Sequence, residues 1–164
     1  MGTLRRATVS DAHDLTRLRA LMHDAMGADT SDPVWWRVTE EAFARRLAGP
    51  GFVAFVVESD GRVVSCGAGW LEEHLPSPRQ LDGRKGYIAS MSTEPTARRQ
   101  GCGELVFTAL MGWFAEQGVS RVDLRATEDG RRLYERFGFR VLGGASMAWT
   151  APGSSPGMPG STAP

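Results

Sequence analysis

The sequence runs to 164 residues, which is room for one ordinary domain and one hydrophobic core. Apolar residues make up 41% and charged residues 23%, close to the averages of folded proteins, so wholesale disorder and fibrous repeats are excluded. Nineteen basic residues balance nineteen acidic ones, and a neutral chain with pI near 6.8 speaks against proteins that work by bulk charge, such as nucleic-acid coats or polybasic membrane binders. Cys66 and Cys102 form no CxxC pair, and the three histidines lack metal-ligand spacing, so neither a disulfide framework nor a metal site is expected. With no apolar window of bilayer length, the expectation is a cytoplasmic protein in a reducing compartment, with no membrane partner.

Residues 4–7 can form a first strand, after which Ser10 or Asp11 caps a helix carrying Leu15, Leu18, Met22 and Met26 on one stripe. Asp32-Pro33 pairs a capping residue with proline at the first helical position, and Trp36, Phe43 and Leu47 recur at helical spacing until Gly49-Pro50-Gly51. Residues 52–59 are rich in β-formers, Asp60-Gly61 is the dipeptide of a tight hairpin, and 63–71 returns antiparallel. A further strand spans 86–93 and ends at Glu94-Pro95; a helix follows over 104–117, then a strand at 122–126, a short helix at 129–137, and closing strands at 140–142 and 146–150. The order β-α-α-β-β-β-α-β-α-β-β describes an α/β (α+β mixed) fold: a mostly antiparallel sheet of six to seven strands flanked by about four helices. The crossover from 86–93 through the helix to 122–126 makes those two strands parallel neighbours. Residues 1–150 read as one domain and 151–164, rich in Pro, Gly and Ser, as a flexible tail.

Chemistry concentrates in the turn after the strand at 86–93. Gly101 and Gly103 flank Cys102 where a helix opens, so backbone amides there can converge on one anion, helped by the positive helix end. Between residues 84 and 103, Arg84, Lys85, Arg98 and Arg99 stand against Glu94 alone, a local charge of +3. No Walker loop is present, and Val106 stands where a dinucleotide fingerprint needs a third small residue. The pattern Arg98-x-x-Gly101-x-Gly103 resembles the acetyl-CoA signature of the GCN5-related N-acetyltransferase (GNAT) family. The segment Leu133-Tyr134-Glu135-Arg136-Phe137-Gly138-Phe139 is similar to a second motif of that family. The likeness covers about residues 3–150.

That resemblance implies an acetyl-CoA-dependent N-acetyltransferase in which the amine attacks directly within a ternary complex. It implies a bulged fourth strand, with the pantetheine arm beside Met91, Ser92 and Thr93, and the diphosphate on Arg98, Arg99 and the amides of Gln100, Gly101, Cys102, Gly103 and Glu104. Tyr134 corresponds to the family's thiol-protonating tyrosine, and a phenol remains protonated at neutral pH. A strand amide near Met91 or Ser92 would face the oxyanion. Thr127 stands where many members have a cofactor-binding asparagine. Candidates for a general base are Glu72, Glu73, Ser90 and Glu94, and an amine already deprotonated in solution would need none. On alternation, Ser90, Ser92 and Glu94 share one face of their strand while Ala89, Met91 and Thr93 share the other. Asp32, Trp35, Trp36, the Glu72-Glu73-His74 cluster and Tyr87 are the expected acceptor pocket. Partners implied are a small-molecule amine or a peptide N-terminus and, through the closing strands, a second copy in a homodimer. No metal is implied.

Plainer readings stand beside these. The two glycines could simply open a helix, and Tyr134 by itself reads as a packing residue. Cys66 reads as a small buried residue in a strand and Cys102 as a surface thiol. Without an obvious base, a non-catalytic acyl-CoA-binding or sensing domain is the alternative. An arginine-rich nucleic-acid binder is disfavoured by the neutral charge.

Overall fold

Both residues of the Asp60-Gly61 turn have positive φ, 50° and 73°, which is the twist that joins paired strands through a two-residue loop. They connect strand β2 (Phe52–Ser59) to β3 (Arg62–Glu73). The computed structural model describes residues 2–154, and the chain divides into two units, Met1–Arg125 and Ala126–Pro164.

The first unit opens with β1 (Thr3–Arg6) and a 3-10 turn, Val9–Asp11, which leads into α1 (Ala12–Ala25). Helix α2 (Pro33–Ala48) begins as its sequence dictates: Asp32 Oδ1 accepts from the Val34 amide at 2.8 Å, and Pro33 occupies the first helical position. After the hairpin come β4 (Arg84–Thr93), a second 3-10 turn Pro95–Ala97, α3 (Cys102–Glu116) and β5 (Val122–Leu124). The sheet order is β1-β2-β3-β4-β5. Its first four strands are antiparallel, and β5 joins β4 in parallel, which is the pairing that a strand–helix–strand crossover requires.

Two apolar layers hold the sheet. On one face Leu15, Leu18 and Phe43 of α1 and α2 pack on Phe52, Ala54, Val56, Cys66 and Ala68. On the other, Val106, Phe107, Leu110 and Phe114 of α3 are buried, each such side chain contributing about 1.5–3 kcal/mol by leaving water. Helix α3 approaches so closely that a Cβ on Gly86 would lie 2.4 Å from the Phe114 ring. The stripe expected on α1 stops short: Met26 is 47% exposed, because Gly27, at φ 85°, reverses the chain directly after it.

The second unit holds α4 (Glu128–Arg136). The expected closing strands are a correction: 140–142 and 146–150 contain no strand, and the described residues form a sheet of five strands rather than six or seven. Val141, Leu142, Met147 and Trp149 are exposed, and the runs are short and split by Gly143-Gly144, with φ 99° at Gly144. A strand exists only where a neighbouring backbone pairs with it, and no described residue pairs here. Of the expected tail, 155–164 lies outside the described residues, and 151–154 forms a turn.

Candidate active site

Strand β4 changes register, the bulge that the family resemblance implied and that alternation alone did not show. Ser65↔Thr93 and Cys66↔Ser92 are followed by Ala68↔Ala89, so one residue of β4 is extra and bulges out of the ladder. Ser90 has φ 55°, a left-handed conformation that costs a non-glycine residue about 1–2 kcal/mol. Its hydroxyl turns to α1, where Arg19 Nη1 donates to Oγ at 2.6 Å, and its carbonyl accepts from Cys66 Sγ at 3.4 Å. The bulge also corrects the expected alternation. Ala89 lies opposite Ala68 of the α1–α2 core and so shares the Ser90 face, while Met91 reaches the α3 face, where its sulfur would lie 2.4 Å from a Cβ on Gly67.

Beyond Ile88 the strand has, among the described residues, a strand partner on one side only, since β5 pairs with Gly86, Tyr87 and Ile88. Met91, Ser92 and Thr93 therefore border an open edge. Thr93 Oγ1 lies 2.7 Å from Ser65 Oγ.

The turn into α3 keeps its donors. Arg99 and Gly101 both have positive φ, 61° and 80°, and Gly101 is the N-cap. The first helical bond runs from the Leu105 amide to the Gly101 carbonyl at 3.0 Å. Among the described residues, nothing accepts from the amides of Arg99, Gln100, Gly101, Cys102 or Gly103 in ordinary hydrogen-bond geometry. These donors adjoin the positive end of α3, which suits an anion. Arg98 Nε donates to the Thr93 carbonyl at 3.2 Å, and Gln100 Nε2 to that of Thr96 at 2.9 Å. Arg98, Arg99, Gln100 and Glu104 are exposed. Cys102, read as a surface thiol, is instead buried.

The candidate bases separate. Glu94 is buried, and its Oε1 accepts from Arg62 Nε at 3.0 Å and from Arg17 Nη1; the carboxylate ties the end of β4 to α1 and β3. Glu72 pairs in register with Lys85, five residues before Ser90 and so roughly 16 Å from it along the strand. Its carboxylate accepts from Trp70 Nε1 at 3.2 Å and lies 3.0 Å from His74 Nε2, while Glu73 is exposed at the strand end. The expected pocket residues divide too. Asp32 is spent on the α2 cap, Trp36 Nε1 donates to the Thr30 carbonyl at 2.8 Å, and Trp35 meets His23 edge-on at 6.0 Å. Tyr87 packs on Trp70 at 5.1 Å, and burial pushes its phenol pKa up.

In the second unit, the Leu133–Phe139 segment has a physical explanation. The Gly138 amide donates to the Glu135 carbonyl at 3.0 Å and the Phe139 amide to that of Tyr134 at 3.1 Å, with Gly138 at φ 86°. This is the Schellman end of a helix, in which the residue after the glycine packs on the residue five before it. The Tyr134 and Phe139 rings are accordingly 6.3 Å apart. The Tyr134 ring leans back over Gly130, where an added Cβ would lie 3.2 Å from Cε2 and 3.5 Å from the hydroxyl. Burial pushes the phenol pKa up. Thr127 is the N-cap of α4, its Oγ1 accepting from the Gly130 amide at 3.3 Å.

Residues 15–139 match the model of the acetyltransferase (GNAT) family, and the chain belongs to that family. A predicted acetyltransferase from Clostridium acetobutylicum, crystallised with acetyl-CoA, superposes with a TM-score of 0.82 at 24% identity, over 90% of this chain and 96% of that one. A GCN5-related N-acetyltransferase from Ralstonia eutropha gives 0.75 at 24% identity, over 91% and 99%. A glucosamine-6-phosphate N-acetyltransferase from Arabidopsis thaliana gives 0.70 at 21% identity, over 92% and 99%. At these identities the likeness is one of fold. No curated protein matches the chain by sequence. Among the described residues, no group of three or more metal-ligating side chains converges, and no helix is long and apolar enough to cross a membrane.

Two contributors escaped the sequence reading. Gly130, which clears room for the Tyr134 ring, was legible as a glycine four residues before a helical tyrosine. Arg19 was legible as a charge inside the Leu15, Leu18, Met22 stripe.

Proposed function

We propose that this GNAT-family protein transfers the acetyl group of acetyl-CoA to an amine by direct attack. The observation that carries the reading is the Ser90 bulge, which opens the β4 edge at Met91–Thr93 in the same unit as the unaccepted amides of Arg99–Gly103. Those amides, with Arg98 and Arg99, would hold the diphosphate; the edge of β4 would bind the pantetheine amides as a strand binds a strand. Glycine at 103 fits this use, because among the described residues beyond its own helix turn the nearest atom to its missing side chain is Thr93 Oγ1 at 3.7 Å.

Three demands then remain. A strand amide at Met91 or Ser92, on the open edge, would be the oxyanion donor. Tyr134 protonates the departing thiolate, and its upward-shifted pKa keeps the proton available. The attacking amine enters in its neutral form from solution: Glu94 is committed to Arg17 and Arg62, and Glu72 sits five register positions from the bulge. We assign catalysis to residues 1–150 and none of it to 151–164.

The test is thiol release from acetyl-CoA with a panel of amines and peptides, alongside calorimetry with coenzyme A. Transfer to any amine supports the reading. Tight cofactor binding with no transfer would favour a sensing domain, which the engagement of Glu94 would suit. Absence of binding would refute both.

A further inference from the structure

Helix α1 points a cation at the bulge, and no carboxylate among the described residues neutralises it. Arg19 follows Leu18 on the inner side of α1, and its side chain is half-buried. The neighbouring cations have carboxylate partners: Arg5 has Asp11 and Glu58, Arg17 has Asp14 and Glu94, and Arg62 shares Glu94. Arg19 has the neutral hydroxyl of Ser90 at 2.6 Å. No described carboxylate supports it, and burial lowers its pKa. Cys66 is no counterion, because burial pushes its thiol up to about 12 and leaves it protonated at neutral pH. His23, beside Arg19, is pushed down by burial and by that same guanidinium, so it adds no charge of its own at neutral pH.

A buried cation without a partner costs free energy. A guanidinium has five N–H donors in a planar fork, and Ser90 takes one of them. The donors left over match two oxygens of a carboxylate or phosphate. The place is also selective: Ser90 is the bulged residue and Met91 the next one. An anion held on Arg19 therefore brings a nearby amine to the opened edge of β4.

We infer that the acceptor is an amine carrying an anionic group, a carboxylate or a phosphate, and that Arg19 holds this group on the α1 side of the bulge. The inference rests on the transfer reading above and adds the acceptor's chemical class.

The experiment follows thiol release from acetyl-CoA with the common amino acids, β-alanine and phosphoethanolamine, each beside its uncharged counterpart, the carboxamide or ethanolamine. An anionic acceptor should exceed its counterpart in kcat/KM by at least about tenfold, the worth of one charge-assisted pair; whichever arm leads tells carboxylate from phosphate. Arg19→Gln should raise KM for that acceptor by a similar factor, abolish the preference, and leave kcat and the KM for acetyl-CoA little changed, with Arg19→Lys recovering part. The melting temperature of Arg19→Gln should hold or rise, because an uncompensated cation has gone. Equal use of charged and uncharged amines overturns the inference while transfer stands. A fall in melting temperature with parallel loss on both acceptors marks a structural arginine and overturns it as well. Transfer to none of them, with acetyl-CoA bound, overturns both.

Discussion

Replacing Gly103 by alanine should move stability and cofactor affinity in opposite directions. The position lies in the first turn of α3 without positive φ, and among the described residues beyond its own helix turn an added Cβ meets Thr93 Oγ1 alone, at 3.7 Å, an ordinary contact. The unliganded protein therefore accepts the methyl and gains about 0.4–1 kcal/mol, because alanine has less backbone freedom to lose on folding. For a chain of this length that is a rise of roughly 1–4 °C in melting temperature. The same methyl stands between the amide end of α3 and the open end of β4, where the diphosphate must come within hydrogen-bond distance. Losing one charge-assisted bond there costs about 1.5–3 kcal/mol, or roughly 10- to 100-fold in Kd for acetyl-CoA. Scanning fluorimetry without ligand and calorimetry with acetyl-CoA read the two effects separately. Gly101→Ala is the contrast: its φ of 80° makes alanine strained, so stability should fall by about 1–2 kcal/mol. A stabilised Gly103→Ala protein with unchanged affinity would refute the cradle and leave the glycine as a helix opening only.

Tyr134→Phe retains the ring against Phe139 and over Gly130 and should lower kcat on the order of 100-fold with little change in the KM for acetyl-CoA; steady-state kinetics with equal turnover in both proteins would remove the phenol from the mechanism. Asp11 is buried, with Oδ1 and Oδ2 on Arg5 at 2.8 and 2.9 Å and the Thr8 amide at 2.7 Å, so Asp11→Asn should cost about 1–3 kcal/mol at neutral pH, Arg5 being part-exposed. Arg5 holds the Asp11 carboxyl below its ordinary value; the stability this gives is complete above pH ~4, where an unfolded aspartate is ionised, and is lost as pH falls through the lower folded value. Urea denaturation of both proteins at pH 7 and pH 3 should show the difference shrinking in acid, and a constant difference would contradict the ion pair's role.

Much of this protein was legible before folding, because its signals are local. Asp60-Gly61 specified the hairpin, Asp32-Pro33 the start of α2, and the glycines at 101 and 103 the opening of α3, each through the φ angles or donors of adjacent residues. The Leu133–Phe139 segment was legible for the same reason: a helix stop and its packing contact lie within six residues. What the tertiary structure decided depends on partners far along the chain. The family resemblance implied a bulge in this strand, but its place at Ser90 follows from β4 matching β3 on both sides of Gly67, and alternation within β4 cannot reveal a register set by another strand. Glu94 looked like a free carboxylate until Arg17 and Arg62 closed on it across 77 and 32 residues of sequence. The runs at 140–142 and 146–150 had strand composition and no strand beside them. Arg19 drew no notice inside the α1 stripe; only the packing of α1 on the bulge made it a half-buried cation with no described carboxylate beside it. Local geometry is written in neighbouring residues, whereas charge balance and strand register are properties of surfaces brought together from distant ones.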